Sequence, residues 1–90
     1  MRLDVWLSKV CLVKSRSQAK SGCHAGKILL KGATVRESRP VKEGDEITLF
    51  FPGKVLELRV LALPTGNVPK KQAKDYYELL EERFIDERAL

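Results

Sequence analysis

The apolar residues of this chain change their period at Gly26. Before it, Leu3, Trp6, Leu7, Val10, Cys11 and Val13 recur at helical spacing, so that one face of a first helix is apolar. After it, Ile28 to Leu30, Ala33 to Val35, Glu46 to Phe51 and Lys54 to Leu63 are short aliphatic runs bounded by turn residues, as strands are. Helices followed by a group of strands predict an α+β fold, a two-helix hairpin packed on a small curled antiparallel-rich sheet.

Local chemistry supports the boundaries. Asp4 stands in the first turn of helix one, where a carboxylate meets the positive end of the helix dipole. Ser15-Arg16-Ser17-Gln18 reads as a capping box: the Ser15 hydroxyl caps helix two and Gln18 reaches back to the cap. That helix runs to about Ala25 and stops at Gly26, with Ala19 and Cys23 as its narrow apolar stripe. Lys31-Gly32, Glu43-Gly44-Asp45 and Pro52-Gly53 supply turns between strands. Residues 63–69 form a loop by their Pro, Gly and Asn content, and Ala73, Tyr76, Tyr77, Leu80 and Phe84 predict a C-terminal helix over 72–84.

With 90 residues the chain makes one small domain whose core is too thin to enclose a deep pocket, which argues against a small-molecule substrate and against catalysis. His24 has no nucleophile and orienting carboxylate in a recognisable arrangement beside it, so no catalytic residue is assigned. Cys11, Cys23 and His24 lack a paired Cys-x-x-Cys spacing and cannot close a tetrahedral site, so neither metal nor cofactor is expected, and the two cysteines read as reduced core residues. The amino terminus has none of the features of a signal peptide and no apolar run approaches a membrane span; the expected location is the cytoplasm, away from membrane.

Charge divides unevenly. Residues 1–42 hold ten Lys or Arg against Asp4 and Glu37, a net of +8, whereas residues 43–90 carry a net of −3. Such asymmetry points to a polyanionic partner bound by the amino-terminal half. Arg16 and Lys20, four residues apart, share a face of helix two away from Ala19 and Cys23. Lys14 precedes the cap, and the amides opening the helix add donors for a phosphate oxygen. A basic helix start beside the short Lys31-Gly32 turn suits a folded RNA backbone, which is recognised through phosphate, sugar and shape. Of the aromatics, Trp6 reads as core; Tyr76, Tyr77 and Phe84 would serve the competing reading, a protein-interaction module on the C-terminal helix, though packing of that helix on the sheet explains them as well.

Arg2-Leu3-Asp4, Leu7, Lys14-Ser15-Arg16, Ala19, Gly26, Ile28, Leu30-Lys31-Gly32, Val41 and Gly44-Asp45 together resemble the RNA-binding domain named after small-subunit ribosomal protein four, over about residues 1–50. Lys31 stands where that family often has Asn, and Cys23 where it has a larger aliphatic residue. As a lone domain with a short hairpin, the chain is similar to the heat-shock protein fifteen family and, more closely, to the ribosome-associated quality control protein P family. The acidic end (Glu81, Glu82, Asp86, Glu87) favours the latter.

The resemblance implies binding to rRNA and tRNA on large ribosomal subunits that carry stalled peptidyl-tRNA, with a nascent-chain tailing factor as a further partner and a monomeric state; a general ribosome or tRNA-binding assembly factor is the alternative. Residues 1–63 would be the RNA-binding domain with its extended hairpin and 64–90 a loop and helix packed on it. The residues assigned to RNA are Arg2, Lys9, Lys14, Ser15, Arg16, Lys20, Lys27, Lys31, Arg36 and Arg39, with Asp4 as structural support, stabilising helix one and orienting Arg2 or Arg16.

Overall fold

A computed structural model describes residues 1–85. Helix α1 (Leu3–Lys9) and helix α2 (Arg16–His24) precede strands β1 (Ile28–Leu30), β2 (Ala33–Thr34), β3 (Glu46–Phe51) and β4 (Lys54–Val60), a 3-10 helix (Lys70–Tyr76) and strand β5 (Tyr77–Phe84). All strand pairs are antiparallel, in the order β2-β1-β3-β4-β5. The α+β architecture and the two-helix hairpin on a sheet are as expected.

The helices cover one face of the sheet. Leu3, Trp6 and Leu7 from α1, Val10 just after it, and Ala19 and Cys23 from α2 meet Ile28, Leu30, Ile47, Leu49, Leu58 and Val60, all buried. Each fully buried aliphatic or aromatic side chain contributes about 1.5–3 kcal/mol, and the small Ala19 lets α2 approach α1. Trp6 is wholly buried, as expected of a core residue; its Nε1 donates to the Ala62 carbonyl at 3.0 Å and its ring meets Tyr77 edge-on at 6.3 Å.

Three expectations are corrected. The first helix stops at Lys9 rather than continuing through Val13, because Cys11 adopts φ 62° and reverses the chain; Cys11 is therefore exposed, and only Cys23 is a core cysteine. Gln18 does reach back, but its Oε1 accepts from the Lys14 amide at 2.6 Å, one residue before the cap. The largest correction concerns 72–84: a 3-10 turn delivers the chain into β5, which pairs with β4 along its whole length. Much of the helix-facing side of the sheet is already covered by α1 and α2, while the outer backbone groups of β4 need partners. A strand satisfies them, and a helix would not. A bulge between Glu57 and Leu58 admits Leu80 as the extra residue, which breaks the alternation and mimics helical spacing in the sequence. Asp86 and Glu87 of the acidic end lie outside the described residues.

Candidate nucleic-acid interface

The interface begins where the chain begins. Arg2 is extended and precedes α1 without offering a side-chain cap. The helix's opening amides are met instead by the loop 36–41: Leu3 N donates to Arg39 O at 2.8 Å and Asp4 N to Glu37 O at 3.0 Å, while Val41 N donates to Met1 O at 2.9 Å. These bonds fasten the loop carrying Arg36 and Arg39 against the start of α1.

Asp4 is the centre of the arrangement. Its side chain is 4% exposed, yet Arg2 and Arg16, which contact it, are 47% and 57% exposed. Arg2 grips the carboxylate with two hydrogen bonds, Nε to Oδ1 at 3.1 Å and Nη2 to Oδ2 at 3.0 Å, and Arg16 Nε donates to Oδ2 at 3.4 Å. The Val5 amide completes the set at 2.8 Å. One buried anion thus holds two guanidinium planes at the surface, a charge-assisted arrangement that restrains them before any ligand arrives. Asp4 accordingly orients both of the arginines between which the sequence left a choice.

Arg16 is also the first residue of α2, whose cap is Ser15: Ser15 Oγ accepts from the Gln18 amide at 3.1 Å. Beyond Asp4 lies a second anion, Glu37. His24 Nε2 stands 3.3 Å from its Oε2. Hydrogen bonding to its own backbone amide, opposed by desolvation, together with the charges of His24 and Lys20 holds the Glu37 carboxyl below the usual carboxylate range. Arg2, Arg16 and Lys20 are thus gathered around Asp4 and Glu37, the loop that supplies Glu37 also carries Arg36 and Arg39, and Lys14 and Ser15 lead into α2.

Three assigned cations stand elsewhere. Lys9 is at the other end of α1, with Nζ donating to Gly66 O at 3.1 Å. Lys27 lies beyond the far end of α2 from Arg16, a helix of nine residues that spans roughly 13 Å. Lys31 occupies the β1–β2 turn, 3.8 Å from Asp45. Sequence reasoning missed His24 and Glu37, although Glu37 is one of only two acids in residues 1–42 and that scarcity was the available signal. The aromatics of the competing reading do not share a helix face: Tyr76 and Tyr77 pack against the core, whereas Phe84 is 77% exposed at the end of β5.

The S4 domain family matches residues 1–47. The RQC P-site tRNA stabilizing factor of Listeria innocua is 36% identical over 97% of this chain and 94% of its own length, and that of Helicobacter pylori strain J99 is 39% identical over 84% and 92%. Among solved structures, heat shock protein 15 of Vibrio cholerae superposes with a TM-score of 0.82 at 25% identity, over 88% of this chain and 80% of that one.

Proposed function

The chain belongs to the S4 domain family and to the family of RQC P-site tRNA stabilizing factors, and from that membership we propose that it is an RNA-binding factor that engages large ribosomal subunits still carrying a stalled peptidyl-tRNA. Its work is binding rather than catalysis, carried out in the cytoplasm by one copy of the chain at a time, although the Vibrio neighbour was solved as a trimer. Residues 1–63 carry the contact surface, and β5 completes the sheet behind it. The tRNA and rRNA are held through phosphates, and a nascent-chain tailing factor acts beside it on the same subunit.

The observation that carries this reading is the buried Asp4 carboxylate with Arg2 and Arg16 displayed on it. A protein needing only solubility has no use for a carboxylate spent on fixing the geometry of two exposed cations. Bidentate forks fixed in this way suit phosphate oxygens, and the flanking Lys20, Arg36 and Arg39 extend the positive field along a backbone. Lys9, Lys27 and Lys31 would contribute only if the RNA wraps around the domain.

The test is gradient sedimentation with sequencing of crosslinked RNA, comparing the native protein with Arg16→Ala and with Arg59→Ala on the opposite sheet face. The native protein and Arg59→Ala should co-migrate with large subunits and crosslink to rRNA and tRNA. Arg16→Ala should lose about 1–3 kcal/mol of binding, the worth of a charge-assisted hydrogen bond. Equal loss in both variants, or no ribosomal crosslink for any, would refute the assignment.

A further inference from the structure

A cleft of about 690 Å³ opens between the α1–α2 connection and the part of the sheet that the helices leave bare. Its floor is apolar and aromatic, formed by Leu12, Phe51, Leu56, Tyr77 and Leu79, and its rim carries Lys54 and Lys74. The Lys54 ammonium stands 5.6 Å from the centre of the Phe51 ring. An adjoining recess shares Cys11, Leu12 and Phe51 with the cleft and adds Lys14, Gln18 and Lys70. None of Lys14, Lys54, Lys70 and Lys74 lies within 4.0 Å of a carboxylate among the described residues. Among the described residues, Glu82 is the one acid on the cleft wall.

This combination is unlike the Asp4 interface. There, forked guanidiniums are displayed on a polar surface, as paired RNA requires. Here, point charges on flexible stems ring a surface that leaves Leu79 half exposed and Phe51 half buried. Unstacked bases are bound in this way: the flat π-face lies on apolar and aromatic carbon while cations take the phosphates on either side. Lys14 joins the two regions, standing two residues before Arg16 and also lining the recess. A strand bound at the start of α2 would therefore run directly into the cleft.

We propose that this cleft is a second RNA subsite that accepts one unstacked nucleotide, with the base against Phe51 and Leu79 and the flanking phosphates on Lys14, Lys54 and Lys74. The proposal rests on the RNA-binding reading and adds to it a preference for RNA with an extruded base next to a paired stem. Glu82 opposes the phosphates and tempers the affinity.

Three RNA hairpins of one sequence test it: fully paired, with a single 2-aminopurine bulge, and with an abasic bulge. The full-length protein should bind the 2-aminopurine hairpin about tenfold more tightly than the paired one, as stacking of one base on an aromatic platform allows, and quench its fluorescence. The abasic hairpin should lose that gain. Lys54→Ala combined with Lys74→Ala should remove the preference and the quenching while leaving affinity for the paired hairpin unchanged, and Glu82→Gln should strengthen the preference.

Equal affinity for all three hairpins, with paired binding intact, overturns the subsite but not the RNA reading. Failure to bind any hairpin overturns both. A glutamate-rich peptide that binds the native protein but not the double lysine variant, with the abasic hairpin bound as well as the base-bearing one, would assign the cleft to an acidic protein segment and overturn the proposal.

Discussion

At the scale of single residues, Asp4 is where folding and binding meet. Removing a negative charge from a basic surface should strengthen RNA binding if only net charge counted. Asp4→Ala should instead weaken it, because Arg2 and Arg16 lose the carboxylate that restrains both. The same variant should lose about 2–3 kcal/mol of stability, since hydrogen bonds from two cations and an amide converge on that group. Filter binding and thermal melting on one preparation check both; tighter binding would show that the arginines need no orientation.

Cys23 makes a separate statement. Burial, then the negative charges of Glu37 and Asp4, push its thiol up to about 11. The folded chain keeps that proton while an unfolded chain releases it near the ordinary value of 9.0, so the contribution is whole below pH 9 and is lost as pH rises towards 11. The melting temperature should fall across that interval, and Cys23→Ala should flatten the part of the fall that the thiol causes. Exposed Cys11 should be alkylated at neutral pH while Cys23 stays protected until unfolding.

At the scale of elements, the turns decide register. Leu30 faces Ala33 across a two-residue turn in which Lys31 and Gly32 have φ 53° and 79°, the type I′ geometry that suits the twist of a hairpin. Gly adopts this conformation freely, but Lys does so under strain, and its 3.8 Å contact with Asp45 is a weak return. Lys31→Asn should stabilise the protein by about 0.5–1 kcal/mol, because Asn tolerates the left-handed region. Chemical denaturation measures this, and a loss of stability would mean that the ion pair outweighs the strain. The Pro52-Gly53 turn sets the β3–β4 register through a different geometry, proline holding a negative φ before Gly53 at φ 79°, with Phe51 opposite Lys54.

At the scale of the whole molecule, the measurable quantity is the number of phosphates engaged. Arg2, Arg16 and Lys20 stand around Asp4 and Glu37, and the loop fastened to the start of α1 carries Arg36 and Arg39. Counterion release from about five phosphates predicts a log–log salt slope of roughly −3.5 to −4.5 for a paired RNA. A flat response would indicate apolar docking, as a protein-interaction module would give. Velocity sedimentation across the same salt range should report one copy of the chain throughout.

By itself, the amino-acid sequence determined most of what is written in local or periodic terms. The helix spacing of Leu3, Trp6, Leu7 and Val10, the Ser15 cap, the glycine turns and the excess of cations before residue 43 are properties of neighbours along the chain. Even the partnership of Asp4 with Arg2 was legible, since the two lie two positions apart. The tertiary structure decided what depends on groups brought together from a distance. The conformation of 72–84 could not be read from its own residues, because the unpaired edge of β4 selects the strand. Glu37 became a second anchor only when the 36–41 loop closed on α1, and the lysine-rimmed cleft exists only because β5 extends the sheet past the helices. Periodicity records which face a residue presents, whereas a buried charge, an edge or a cleft is a relation between elements whose register is set only when the core closes.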